Sequence, residues 1–228
     1  MSDCKFSRNV PVVGDQCCLL VIDVQYYCAL PGFGQYKDLS LSDIPKEKAY
    51  YFDRVSSSVL PNIKKLLNTI RFARKQRQTG WDVIYTCIEN LTLDGRARSL
   101  DYKISNINVP KGSHDAIVVD EIAPKEDEIY LPKTSCSVFN STSIEYVLRN
   151  IGTQYLIVVG LVTNQCVESA VRDAADRGFL VTLVEDACAT YTQDDHDASL
   201  KNLNGFARII STKDLVAELE EQLLVLNA

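Results

Sequence analysis

Three residues whose types could together carry acyl transfer stand at the ends of apolar runs. Asp23 closes Cys17-Cys18-Leu19-Leu20-Val21-Ile22, Lys133 follows Leu131-Pro132, and Cys166 comes just after Val158-Val159-Gly160-Leu161-Val162-Thr163-Asn164-Gln165. A cysteine that opens a helix meets unpaired N–H groups and the positive end of the helix dipole, which favour its thiolate. A lysine beside it would lower the thiol pKa further, and a carboxylate could take the thiol proton and hand it to a leaving amine. Backbone N–H groups in the turn before Cys166 would form an oxyanion hole. The reaction class is acyl transfer to water, and it needs no histidine; the chain has only His114 and His196. Taken singly, an aspartate at a strand end more often caps a turn, a lysine after a proline is usually solvated, and a cysteine near a helix start is usually a buried hydrophobe. Spacing alone leaves the triad and these structural alternatives both open.

The elements that would position the three residues follow from periodicity. Cys17–Ile22 reads as a strand buried on both faces, the kind found in parallel sheets. Ser58 to Gln76 carries Ile63, Leu66, Leu67 and Ile70 at helical spacing, with Pro61 near the start and Gly80 beyond the end. Val83 to Ile88 reads as a strand, Glu89 to Ser113 as a long polar stretch, Ala116 to Ile122 as a short helix, and Ile129-Tyr130-Leu131 as a strand stopped by Pro132. Helices over Ser143 to Asn150, Cys166 to Arg177 and His196 to Leu203 then alternate with strands over Tyr155 to Val159, Leu180 to Val184 and Ala207 to Ile210. A last helix, opened by Thr212, repeats Leu215, Leu219 and Leu223 along one face. Six strands interleaved with helices predict one doubly wound α/β domain over residues 1–228, in which ligands sit beyond the carboxyl ends of the strands. Residues 30–55 are expected to be irregular, as a lid or an oligomer contact.

Composition narrows the function classes. A net charge of −6 with no basic patch argues against nucleic acid or an anionic membrane as partner. The start of the chain lacks the pattern of a signal peptide, the apolar runs are strand-sized, and the eight cysteines are dilute and lie partly in apolar runs. The expectation is a cytoplasmic protein with reduced thiols. There is no CxxC pair and the histidines are far apart, so zinc-type ligand spacing is absent and no cofactor is expected.

The strings Leu19-Leu20-Val21-Ile22-Asp23-Val24-Gln25, Leu131-Pro132-Lys133-Thr134-Ser135-Cys136-Ser137-Val138-Phe139 and Gly160-Leu161-Val162-Thr163-Asn164-Gln165-Cys166-Val167-Glu168-Ser169-Ala170 resemble the three signature segments of the isochorismatase-like cysteine hydrolases. They occur in the family's order, and the resemblance spans about Cys17 to Leu215. It implies a Rossmann-like three-layer α/β/α sandwich on a six-stranded parallel sheet. It also implies that Cys166 attacks, Asp23 acts as base and then acid, and Lys133 supports the thiolate. A cis peptide at Leu161-Val162 would aim the N–H groups of Val162 and Cys166 at the oxyanion. The chain departs from the nicotinamidases, whose metal site needs an Asp and two histidines where this stretch offers only His114, so no catalytic metal is expected. It departs also from the vinyl-ether-cleaving isochorismatases, which lack the cysteine.

Segments Glu89 to Thr92, Asp94 to Asp101 and Tyr191 to Gln193 are similar to those of the biuret hydrolase and ureidoacrylate amidohydrolase branch. The implied activity is metal-independent hydrolysis of a small carbamoyl, ureido or amide compound through a thioester. The alternatives are an isochorismate hydrolase and a catalytically idle binding protein. A ureido substrate must find partners for several N–H and carbonyl groups, and Gln25, Glu89, Asn90, Arg98, Asn164 and Gln193 are candidates. For Arg96 and Arg98 a salt bridge is an equal alternative. Phe33 and Tyr191 are candidate pocket walls or core aromatics, and Tyr26 and Tyr27 are similarly ambiguous. A homodimer or homotetramer is expected from the family's habit and from the tyrosine-rich region Tyr26 to Phe52.

Overall fold

Every residue of β1 (Cys17–Ile22) is buried, because successive side chains enter two different cores. The computed structural model describes residues 7–77 and 79–225. Beside β1 lie β2 (Asp82–Ile88), β3 (Ile129–Lys133), β4 (Tyr155–Leu161), β5 (Leu180–Ala189) and β6 (Arg208–Ile210), in the order β3-β2-β1-β4-β5-β6. All five neighbouring pairs are parallel. The chain winds outward from β1 to β3, then returns to place β4 on the other side of β1. The loops after β1 and β4 therefore diverge and open a crevice at the carboxyl edge.

The helices are α1 (Tyr26–Ala29), α2 (Lys46–Arg54), α3 (Leu60–Arg74), α4 (Leu100–Ile104), α5 (Val138–Ser141), α6 (Ile144–Asn150), α7 (Glu168–Asp176), α8 (Gln193–Leu203) and α9 (Thr212–Val225). Leu19 and Val21 share one core with Ile63, Leu66 and Ile70 of α3 and with the Leu215, Leu219, Leu223 face of α9. Cys18, Leu20 and Ile22 share the other with Leu148 of α6, Val171 of α7 and Leu203 of α8. Each such fully buried aliphatic side chain stabilises the fold by about 1.5–3 kcal/mol. The result is the three-layer α/β/α sandwich expected from the sequence.

Several elements differ from the sequence reading. The helix expected from Ser58 begins at Lys46, because α2 runs through a π-helical turn, Val55–Val59, into α3. The wider turn carries the chain past Pro61, which has no N–H to give and would crowd the carbonyl one turn back. Residues 30–55 are thus only partly irregular, and Tyr27, Tyr36, Tyr51 and Phe52 are buried rather than presented as apolar surface. Pro132 lies inside β3 instead of stopping it, tolerated because β3 is an edge strand. The expected helix over 116–122 is a pair of 3-10 turns, His114–Ala116 and Asp120–Ile122, and the polar stretch after β2 contains α4. Among the described residues no helix is long and apolar enough to cross a membrane.

Candidate active site

The crevice between the ends of β1 and β4 is a cavity of about 590 Å³, lined among others by Asp23, Tyr102, Val162 and Cys166. Asp23 takes a left-handed conformation, φ 54°, immediately after β1, while its N–H donates to the Thr86 carbonyl at 2.8 Å. Aspartate tolerates this conformation better than most residues, so the chain turns out of the sheet without losing the ladder bond. Lys133 is the last residue of β3 and is fully buried. Its Nζ lies 2.9 Å from Asp23 Oδ2 and donates to Tyr102 Oη at 3.0 Å, to the Ser135 carbonyl at 3.0 Å, and towards Cys166 Sγ at 3.4 Å. Among the described residues Asp23 Oδ1 receives no hydrogen bond.

Cys166 does not open an α-helix; it is the fourth residue of a π-helical turn, Thr163–Val167, that leads into α7. Single π turns inside helices recur at functional sites. The peptide Leu161-Val162 is cis. Gly160, just before it, has φ +124°, and a Cβ there would fall 2.1 Å from the Ile22 carbonyl oxygen, so only glycine lets β4 approach the Asp23 turn.

The electrostatics differ from the simple helix-terminus expectation. The contact with Cys136 and burial push the Cys166 thiol above its ordinary value, with Lys133 opposing. Cys136 Sγ, 3.9 Å from Cys166 Sγ, is drawn down to about 6 by the same contact. Burial pushes the Asp23 carboxyl well above the usual carboxylate range, again against Lys133. Burial works to discharge Lys133, but Asp23, then Cys166 and Tyr102, outweigh it and hold the ammonium. One buried cation balances one anion, so Asp23 and Cys166 together retain a proton that can reside on either.

Other sequence candidates are placed less centrally. Asn164 and Tyr191 line the cavity, and Asn164 Oδ1 accepts from Thr190 Oγ1 at 2.7 Å. Gln25 is fully buried, accepts from the Ile88 N–H and donates to the Ile88 and Asp115 carbonyls, so it ties loops together away from the cavity. Arg98 donates to the Gly95 and Ile107 carbonyls within its own loop, and Arg96 pairs with Asp94 on the surface. Asn90 donates to Asn108 Oδ1, Glu89 accepts from the Gly112 N–H, and Gln193 bridges Tyr50 and Asp197. Phe33 stacks on His114 and meets Tyr26 edge to face. None of these seven, Gln25, Phe33, Glu89, Asn90, Arg96, Arg98 and Gln193, lines the cavity among the described residues.

The sequence reading missed Tyr102, Asp101 and Cys136. Ser99 caps α4, its Oγ accepting from the Tyr102 N–H at 3.2 Å, and the Ser99 N–H donates to the Thr134 carbonyl at 2.9 Å. This docks α4 on the end of β3 and lays Asp101 and Tyr102 over the site. The Ser-x-x-Tyr cap was legible, but not the face it would present. Among the described residues no group of three or more His, Cys, Asp or Glu is arranged to hold a metal.

Residues 17–214 match the isochorismatase domain. The chain is 34% identical over 185 residues to the ureidoacrylate amidohydrolase RutB of Rhizobium rhizogenes, covering 74% of this chain and 68% of that protein. It is 31% identical over 214 residues to the RutB of Caulobacter segnis, covering 89% and 85%. A solved structure of a cysteine hydrolase from Pseudomonas syringae pv. phaseolicola superposes with a TM-score of 0.77 at 23% identity, covering 93% of this chain and 96% of that one. Matched over most of its length by the domain, and by relatives at this level of identity, the chain belongs to the isochorismatase family of hydrolases.

Proposed function

We propose that this protein is a cysteine amidohydrolase that cleaves a small carbamoyl, ureido or amide compound. The observation that carries the reading is the position of Lys133 Nζ, 2.9 Å from Asp23 and 3.4 Å from Cys166, the two residues that line one cavity together. The relatives named ureidoacrylate amidohydrolase support a C–N bond as the one broken.

In this reading the proton shared by Asp23 and Cys166 moves to Asp23 as the sulfur attacks the carbonyl carbon. The carbonyl electron pair moves onto oxygen, held by the N–H groups of Val162 and Cys166. Collapse breaks the C–N bond while Asp23 gives its proton to the departing nitrogen, leaving a thioester on Cys166. Asp23, again a carboxylate, takes a proton from water as it attacks the thioester, and Cys166 leaves with its charge beside Lys133. None of these steps calls on a metal ion, so a chelator should leave the rate unchanged.

The test is a substrate panel of biuret, ureido compounds, primary amides and isochorismate, run on the wild type and on Cys166→Ala. Amide or ureide turnover that vanishes in the variant, with an acyl mass on Cys166 in acid-quenched wild type, supports the reading. Isochorismate turnover retained by Cys166→Ala, with amides untouched, replaces it by vinyl-ether hydrolysis.

A further inference from the structure

The charged groups that face the cavity are unevenly chosen. Lys133 is fully buried and already engaged by Asp23, Tyr102, the Ser135 carbonyl and the Cys136 carbonyl. Neither Lys133 nor any other Lys, Arg or His lines the cavity among the described residues. The nearest arginine in sequence to that wall, Arg98, is held by two backbone carbonyls. The neutral polar lining comes from Gln35, Asn164, Gln165, Ser105 and Ser169; the acidic groups are Asp23, paired with Lys133, the Cys136 thiol, drawn down by its contact with Cys166, and Asp101. Asp101, in the first turn of α4, has no cation beside it in the lining, and it borders both this cavity and an adjoining hydroxyl-rich groove that shares Cys136 and Ser169 with it.

We infer that Asp101 sets the substrate's charge, selecting an uncharged or cationic ureide or amide whose N–H groups face its carboxylate, and rejecting a ureido acid. This deepens the amidohydrolase reading and rests on it for the reaction. A substrate carboxylate in this cavity would find no cation in the lining and would share it with the solvent-exposed Asp101 carboxylate, a like charge whose repulsion water only partly screens at short range. An N–H-rich end meets an acceptor that can take two hydrogen bonds at once. The selection separates this chain from the relatives it resembles, whose named substrate, ureidoacrylate, is an acid.

Two measurements test this. The first reads the cavity through its nucleophile: rates of Cys166 alkylation by neutral iodoacetamide and anionic iodoacetate, followed on the Cys166 peptide by mass spectrometry, against an uncharged reference thiol, N-acetylcysteine amide. The iodoacetamide to iodoacetate ratio at Cys166 should exceed the reference ratio by about tenfold or more, and Asp101→Asn should bring it most of the way back. A wild-type ratio equal to the reference, or one that Asp101→Asn leaves unmoved, overturns the inference. The second compares kcat/KM for 2-ureidoethylamine, N-carbamoylglycinamide and N-carbamoylglycine, which share one ureido head and differ in charge. The anion should be the poorest, and Asp101→Asn should narrow the spread. If the anion is preferred, the charge selection fails while the amidohydrolase reading stands. If none is hydrolysed yet the alkylation ratio holds, the amidohydrolase reading fails and the charge selection stands.

Discussion

Arg54 donates from Nη2 to Nε2 of His196 at 2.8 Å, and this fixes the histidine's tautomer from a distance of 142 residues along the chain. With Nε2 accepting, Nδ1 carries the proton and donates to Thr163 Oγ1 at 2.9 Å, at the start of the turn that bears Cys166. Arg54 also donates to the Cys188 and Glu185 carbonyls. The α2 helix thus braces the turn that bears Cys166 through α8.

That arrangement predicts an acid-labile fold. Burial, then the Arg54 charge, bring His196 from 6.5 down to about 4. As pH falls below 6.5 the unfolded chain binds the proton while the folded one does not, so stability declines until about pH 4. The loss from this one group is up to about 3 kcal/mol. Thermal midpoints measured from pH 7.5 to 4.5 should fall more steeply in the wild type than in His196→Gln; equal slopes would remove His196 from the account.

The Asp23–Lys133 pair predicts strong coupling in a mutant cycle. Lys133→Met leaves a buried carboxylate without its cation, and Asp23→Asn leaves a buried ammonium without its anion. Each single change should cost about 3–5 kcal/mol in urea unfolding, and the double change should cost clearly less than the sum. All three variants should lose turnover. Additive costs would mean that the two charges are screened from one another.

Gly160→Ala tests whether the strand β4 approach holds the site together. The added Cβ must clear the Ile22 carbonyl in a backbone conformation that L residues rarely adopt. A loss of about 2–4 kcal/mol is expected, with kcat falling as the Asp23 turn is displaced. A variant with wild-type stability and rate would show that β4 can move aside freely.

How much of this was legible in sequence depends on what each residue answers to. Asp23, Lys133 and Cys166 could be singled out as candidates because a parallel sheet puts strand ends at one edge whatever the loops do, while the roles expected of them came from the resemblance; the structure brings the three side chains together. The Lys46–Arg54 helix was missed because its exposed face is polar and its continuation passes through Pro61, which sequence rules treat as a boundary. Asp101 and Tyr102 were missed because their placement is decided by the Ser99–Thr134 bond, a contact between segments about 35 residues apart. Most polar candidates, Asn164 excepted, lie away from the cavity for a common reason: residue type shows that Arg98 or Asn90 can hydrogen-bond, but not whether another loop group or a ligand will be the partner.

Gln25 turns that lesson into an experiment. Its amide makes three hydrogen bonds, accepting from the Ile88 N–H at 2.6 Å and donating to the Ile88 carbonyl at 3.0 Å and the Asp115 carbonyl at 2.9 Å. Removing it leaves the Ile88 N–H and carbonyl at the end of β2 and the Asp115 carbonyl in the 3-10 turn without this partner, which costs about 1–3 kcal/mol for each group left unsatisfied. Gln25→Ala should therefore lower the urea midpoint, while Gln25→Glu should be no better because a carboxylate cannot donate to the two carbonyls. If Gln25 bound substrate, the loss would appear in KM with stability intact. Its amide faces loop backbone and not the cavity, so the expected pattern is lower stability, with KM near the wild-type value wherever the variant remains folded.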